Sequence, residues 1–215
     1  MLWLAFTIAT WKTFAKSDPY SYRLNTMQKL LIVSDIFGQC QGLRQLLQDL
    51  AVSECSIHVL DPYQGQPQSF SDEQQAYQAY TECCGHDHYA SLVRQTLTEY
   101  TDPLAVAIGF SAGASALWRA LAKPDASLVQ QAVLFYPGQI QPYLTLSPGA
   151  PVHVIFGASE PQLDVRAACA ALSQLPGVQA SSTVWQHGFM NPASAAYSEL
   201  GYQQHLGLLM EFAAM

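Results

Sequence analysis

The chain has 215 residues, of which 50% are hydrophobic and 12% charged, and its formal net charge is −7. This composition is typical of a globular protein, and the length fits one domain with a full core. Lys and Arg together number nine and form no basic stripe. The sequence therefore argues against nucleic acid and anionic membrane surfaces as partners.

The first residues differ from the rest of the chain. They begin with an uncharged apolar run, Met1 to Trp11. That run is too short to span a bilayer and lacks the basic segment and cleavage site of a signal peptide. At Met27 the sequence changes to a pattern typical of a first strand. We predict that residues 1–26 are an extension outside the core and that residues 27–215 form a single domain.

The number and spacing of the cysteines indicate the redox state of the cellular compartment. There are five of them, an odd number, and no two have C-x-x-C spacing. This usage favours a reduced, cytoplasmic protein over a disulfide framework. The adjacent pair Cys83 and Cys84 is interpreted as ordinary thiols at the end of a helix.

From Lys29 onward, strand and helix patterns alternate. Strands are predicted, in chain order, in KLLIVS, SIHVLDPY, LAVAIG, QAVLFYP, PVHVIFG and VQASSTVWQ. Helices are predicted in GLRQLLQDLAV, 71–80, 89–100, the Ala-rich run after Ser111, QLDVRAACAALSQL and 203–214. Continuous apolar strands are buried on both faces. The pattern predicts an α/β fold with a mainly parallel, doubly wound sheet between helices, and no large lid domain.

Three predicted strand ends carry reactive side chains. Ser111 lies in Gly-Phe-Ser-Ala-Gly, Glu160 follows PVHVIFGAS, and His187 follows STVWQ. The carboxyl ends of parallel strands meet at one edge of a sheet. A serine hydroxyl needs a base within hydrogen-bond reach, and the base needs an acid to hold its tautomer. Nucleophile, acid and histidine in this order is the arrangement of α/β hydrolases.

The same pattern predicts an oxyanion hole. Small residues beside Ser111 permit a sharp strand-to-helix turn, and the new helix directs free N–H groups at the same point. The N–H of Ala112 would be one donor. The second is expected from the loop SDIFGQ, either from Ile36 or from Phe37.

Each of these residues also has a structural interpretation. Ser111 fits a helix N-cap, His187 a turn residue beside Gly188, and Glu160 a first-turn acid that stabilises a helix dipole. Asp164 is a rival acid one helical turn further on, expected to face solvent. Glu160 is preferred because it lies closer to the strand end.

Further polar and aromatic residues lie near this predicted edge. Asp35, after the first strand, fits either a pocket residue or a turn former. Phe110 and Tyr136 are additional pocket candidates. The segments 64–80 and 138–149 are expected to shape the pocket.

The remaining histidines raise the question of a metal. His86 and His88 flank Asp87, but no third and fourth ligand follows at standard spacing. Asp87 as a helix N-cap beside two exposed histidines is preferred. His58, His153 and His205, in strands and in the last helix, are interpreted as structural. No metal and no cofactor is predicted.

From Lys29 to the C-terminus, the sequence resembles the dienelactone hydrolase family of α/β hydrolases. The resemblance is carried by LLIVSDIFGQCQGLRQLLQDLA, VLDPYQG, IGFSAGA, VHVIFGASEP and HGF. Three departures stand out. Ser111 replaces the family's nucleophilic cysteine, and Glu160 replaces its usual aspartate. Met190-Asn191-Pro192 stands where the namesake enzymes have a substrate-binding arginine.

The resemblance implies a serine carboxylesterase that cleaves a small ester with Ser111, His187 and Glu160. Two alternatives stay open. One is a thioesterase or acyltransferase on the same triad, and the other is an inactive hydrolase-fold binding protein. A nucleotide-binding domain is disfavoured because no G-x-G-x-x-G or P-loop follows the first strand. The oligomeric state stays open, a homodimer included.

Overall fold

The computed structural model describes residues 28–51, 55–122 and 128–213. The predicted N-terminal extension, residues 1–26, lies outside this part of the chain. The described residues form one six-stranded sheet. Its strands are β1 (Gln28–Val33), β2 (Cys55–Leu60), β3 (Val106–Phe110), β4 (Ala132–Phe135), β5 (Val152–Phe156) and β6 (Val178–Ser182).

The strands lie in the order β2-β1-β3-β4-β5-β6, and every neighbouring pair is parallel. The chain first moves from β1 to β2 at one edge and then proceeds toward the other edge. Connections between parallel strands are right-handed crossovers, so the change of direction after β2 places helices on both faces of the sheet. The predicted doubly wound parallel sheet is confirmed, and the described residues contain no separate lid domain.

Within the described part of the chain, six α-helices connect or follow these strands. They are α1 (Gln41–Leu50), α2 (Glu73–Cys83), α3 (Gly85–Glu99), α4 (Ala112–Leu121), α5 (Val165–Leu172) and α6 (Glu199–Ala213). Helices α1 and α6 contact each other, as do α3 and α4. None of the helices in the described ranges is long and apolar enough to cross a membrane.

The burial of each element follows its sequence. Strands β3, β4 and β5 are buried at every residue, as their continuous apolar runs predict. The edge strand β2 has no fully buried residue. Helix α1 buries Leu43, Leu46 and Leu50, which share one face at helical spacing.

The structure corrects the predicted start of α3. This helix begins at Gly85, and Cys84 alone separates it from α2. Asp87 therefore lies inside the first turn and is not the N-cap. Its carboxylate instead accepts a hydrogen bond from Arg119 Nη2 on α4, at 2.8 Å.

The start of α4 is packed directly against the end of β1. A Cβ atom on Gly113 would lie 2.2 Å from the Ser34 carbonyl oxygen and 2.5 Å from that of Val33. Both atoms belong to backbone that cannot move without disturbing the sheet. Only glycine allows the helix to start this close to the central strands.

We expect Gly113→Ala to lower the free energy of unfolding by about 3 kcal/mol, because the added methyl group overpacks against backbone. Gly207→Ala is the matched control, since a Cβ there meets nothing within 4 Å. Within helix α6 the control should gain up to about 1 kcal/mol. Urea denaturation measures both variants, and equal stability of the two would contradict the packing argument.

Candidate active site

Ser111 forms the whole turn between β3 and α4. Its backbone has φ of 49° and ψ of −114°, a conformation that residues other than glycine rarely adopt. It occupies the N-cap position, yet its side chain makes no capping hydrogen bond. Instead, its Oγ lies 2.9 Å from His187 Nε2. The turn thus presents the hydroxyl to an imidazole 76 residues further along the chain.

The other side of the imidazole contacts a carboxylate. His187 Nδ1 is bonded to Glu160 Oε2, and Glu160 Oε1 accepts the Gly157 N–H at 2.8 Å. The Glu160 side chain is 0% exposed, whereas that of His187 is 20% exposed. A carboxylate at Nδ1 favours the tautomer with its proton there, which leaves the Nε2 lone pair facing Ser111.

Asp164 lies elsewhere. It is exposed and caps helix α5, where its carboxylate accepts the Ala167 N–H at 3.0 Å. Because α5 begins at Val165, Glu160 lies outside the first turn of that helix and has no capping role. Of the two acids considered from the sequence, Glu160 is the one beside His187.

The two backbone donors expected beside Ser111 differ in their surroundings. Ala112 is the first residue of α4, so its N–H has no partner within the helix. Ile36 and Ala112 both line the cleft above Ser111. The Phe37 N–H, however, donates to Asp35 Oδ1 at 2.9 Å. Ile36 is therefore the remaining candidate for the second donor.

Asp35, Phe110 and Tyr136, the three pocket candidates, border a separate cavity of about 20 Å³ and do not line the main cleft. Phe110 stacks on Phe135 with ring centroids 5.2 Å apart. The Tyr136 ring centroid is 5.0 Å from that of His187, so this buried tyrosine supports the imidazole from the side.

Asn191, to which the sequence analysis assigned no role, is a buried residue of this region. Its Nδ2 donates to Asp35 Oδ2 at 2.7 Å, which joins the loop after β1 to the loop that carries His187. Burial raises the pKa of Asp35 to about 6, although the bonds from Asn191 and Phe37 act in the opposite direction. A buried carboxylate requires a hydrogen-bond donor, so an acid after the first strand indicates that some donor lies nearby. The sequence does not show which residue supplies that donor.

The main cleft has a volume of about 810 Å³. The floor includes one face of α4 from Ser111 to Arg119, and the walls include Tyr77 and His86 of the α2–α3 pair and the segment from Gly138 to Tyr143. Both segments expected to shape the pocket, 64–80 and 138–149, contribute to it.

Four of the five histidines outside the contact with Ser111 and Glu160 have protein partners. His86 is half-buried, and its Nδ1 lies 3.0 Å from the Tyr80 hydroxyl; only His88 is exposed as expected. The ring of His58 contacts the Tyr100 hydroxyl, that of His153 the Ser181 hydroxyl, and that of His205 the Gly201 carbonyl oxygen. Across residues 28–51, 55–122 and 128–213, no group of three or more His, Cys, Asp or Glu side chains could hold a metal ion.

Comparison with known proteins rests on structure alone. No protein-family model matches the sequence, and no curated protein matches it. Among solved structures, a dienelactone hydrolase-like promiscuous phosphotriesterase from metagenomic libraries superposes with a TM-score of 0.63 at 15% identity, covering 87% of this chain and 85% of that one. The chain has the α/β-hydrolase fold.

Two further structures agree with this α/β-hydrolase assignment. The dienelactone hydrolase of Anabaena variabilis gives a TM-score of 0.57 at 20% identity, over 88% of this chain and 86% of that one. A cold-adapted esterase from an Arctic intertidal metagenomic library gives 0.56 at 12% identity, over 86% and 83%. At these identities the likeness establishes the fold.

We expect Asp35→Asn to change the pH dependence of stability. A carboxyl whose pKa is raised by folding stabilises the native state while protonated, and this contribution is lost as the pH rises from about 4 through about 6. Relative to wild type, the variant should gain about 3 kcal/mol in unfolding free energy between pH 4 and pH 7. Urea titrations at several pH values measure this difference.

His153→Gln provides a control of opposite sign. Burial lowers the pKa of His153 to about 4, so its contribution is present at neutral pH and is lost as the pH falls from about 6.5 to about 4. This variant should therefore gain stability, relative to wild type, toward low pH. A constant offset between Asp35→Asn and wild type across the range would contradict the titration assigned to Asp35.

Proposed function

We propose that this protein is a serine hydrolase that cleaves small carboxylic esters with Ser111, His187 and Glu160. The observation that carries the proposal is the continuous contact from the Ser111 hydroxyl through the imidazole to a buried carboxylate. The solved structures of similar fold include an esterase and a dienelactone hydrolase. Their described activities agree with ester cleavage.

The first half of the reaction forms an acyl-enzyme. Ser111 Oγ attacks the ester carbonyl carbon while His187 Nε2 takes the hydroxyl proton. The tetrahedral intermediate then collapses, the bond to the leaving oxygen breaks, and Nε2 returns the proton to the departing alcohol. Water repeats the sequence on the acyl-enzyme, which releases the carboxylic acid and restores Ser111.

Glu160 acts through the imidazole. In the transition state His187 is an imidazolium, and a carboxylate at Nδ1 stabilises that charge while holding the ring toward Ser111. The Gly157 N–H fixes the other carboxylate oxygen. Glu160 is shielded from solvent, so its interaction with the imidazolium is weakened little by water.

The negative oxygen of the intermediate requires donors that are in place before the reaction. Ala112 and Ile36 line the same cleft as Ser111, and their backbone N–H groups are our assignment for this role. Each such donor typically contributes about 3 kcal/mol to the transition state. The bond between Phe37 and Asp35 fixes the loop that carries Ile36.

We expect Ser111→Ala to lower kcat/KM for p-nitrophenyl acetate by at least about a thousandfold, because no nucleophile replaces the hydroxyl. Ser115→Ala is the matched control, since Ser115 lines the same cleft one helical turn away and should retain most activity. A fluorophosphonate probe should label wild type and not Ser111→Ala. Retained turnover in folded Ser111→Ala would refute the assignment of Ser111 as the nucleophile. A wild-type protein that is neither labelled nor active would refute the proposed enzyme activity.

We expect Glu160→Gln to lower kcat by about a thousandfold or more, because a neutral amide neither stabilises the imidazolium nor fixes the productive tautomer. Asp164→Asn should remain within a few-fold of wild type, since asparagine also caps helices. Steady-state kinetics on both variants, with circular dichroism to verify folding, make the comparison. Similar losses in the two variants would contradict the assignment of Glu160.

A further inference from the structure

One face of α4 runs along the floor of the cleft. Ser111, Ala112, Ser115, Ala116 and Arg119 line it, at the three- and four-residue spacing that places side chains on one face of a helix. The cleft-lining residues between Ser111 and Arg119 are small. A substrate chain bound at Ser111 can therefore extend along this face of the helix and reach Arg119.

The Arg119 guanidinium is held in place on three sides. Nη2 donates to Asp87 Oδ1 at 2.8 Å, and Nη1 donates to the His86 carbonyl oxygen at 3.3 Å. The guanidinium carbon lies 4.4 Å from the centre of the Tyr143 ring, a cation–π contact. A guanidinium has five N–H donors, and these two bonds use two of them.

The charges around the cleft favour an anion at Arg119. Among the described residues that line the cleft, Arg119 is the one Lys or Arg. Burial and the nearby Arg119 lower the pKa of His86, which keeps that ring neutral. Glu73 is exposed on α2, where water screens its charge.

Asp87 does not cancel the charge of Arg119. The Asp87 side chain is 89% exposed and that of Arg119 only 21%, and Asp87 does not line the cleft. An ion pair with one partner in open solvent is weak. Its geometric effect is to orient the guanidinium, which leaves donors for a second carboxylate on the cleft side.

We propose that Arg119 binds an anionic group of the substrate, a carboxylate, at the far end of the cleft from the reacting ester. The inference rests on the proposed function and names the substrate class. Arg119 lies eight positions after Ser111, which corresponds to a rise of about 12 Å along the helix, and long side chains lean back toward the helix N-terminus. The carboxylate then lies on the order of 10 Å from the ester carbonyl, about eight chain atoms away.

The test compares esters that differ by one charge. If the anion belongs to the acyl chain, p-nitrophenyl monosuberate and p-nitrophenyl octanoate are the pair, since both have eight-carbon acyl groups. If the anion belongs to the alcohol, the pair is 8-acetoxyoctanoate and octyl acetate. For each pair the measured quantity is the ratio of kcat/KM for the charged ester to that for the neutral ester.

In Arg119→Gln, we expect this ratio to fall at least about tenfold in one pair, equivalent to about 1.4 kcal/mol, with little change for the neutral esters. Arg166→Gln is the control, because Arg166 is exposed on α5 and lies outside the cleft; it should leave both ratios unchanged. Arg119→Lys, which keeps the charge and loses the planar fork, should give an intermediate ratio.

Asp87→Asn separates anion binding from a structural role. The asparagine keeps an oxygen that accepts the Arg119 Nη2 hydrogen bond and so orients the guanidinium, while the negative charge is removed, so the ratio should stay the same or rise. A fall in Asp87→Asn as large as that in Arg119→Gln would show that Arg119 acts only by holding α3, and would overturn the proposal.

The remaining outcomes are also decisive. Unchanged ratios for both pairs in Arg119→Gln, with Ser111-dependent hydrolysis intact, overturn the anion site and leave the proposed function standing. A folded wild type that hydrolyses none of the four esters, nor p-nitrophenyl acetate, overturns the proposed function and the anion site with it.

Discussion

The arrangement of the site depends on the backbone conformation of one residue. Ser111 has a positive φ without being glycine, a state that costs on the order of 1–3 kcal/mol. The surrounding hydrogen bonds enforce it, because the Ser111 N–H donates to Phe135 O at 2.9 Å and its carbonyl accepts the Ser115 N–H at 3.0 Å. With relaxed backbone angles the hydroxyl would leave His187. The hydrogen bonds to β4 and within the start of α4 thus offset the cost of this conformation, which holds Ser111 Oγ beside His187.

A second layer of buried residues holds the loops around that oxygen. The bond between Asp35 and Asn191 connects the loop after β1 with the histidine loop across 156 residues of sequence. Tyr136, also at a positive φ, packs its ring against the imidazole. These residues do not line the main cleft. They join the loop after β1, the end of β4 and the histidine loop through buried contacts.

The sequence predicted the fold well because its signals are local. Apolar runs such as VAIGF leave little choice but a buried strand, and parallel strands bring Ser111, Glu160 and His187 to one edge. The hydrogen bonds of individual loop N–H groups were not predictable in the same way. Whether the N–H of Ile36 or that of Phe37 stays free depends on which of the two donates to the Asp35 carboxylate. The start of α3 was not predicted correctly because Gly85, with φ of 69°, allows this helix to begin with only Cys84 between it and the end of α2.

The α2–α3 pair connects β2 with β3, and the buried Tyr89 hydroxyl of α3 is bonded to the carbonyl oxygens of Ser34 and Leu60. Tyr77, by contrast, is exposed on α2 and forms part of the cleft wall. An exchange at Tyr77 would therefore reshape the cleft without removing a hydrogen bond between Ser111, His187 and Glu160. Under the proposed function, such surface exchanges would give the protein new acyl or alcohol preferences while the residues that transfer the proton stay in place.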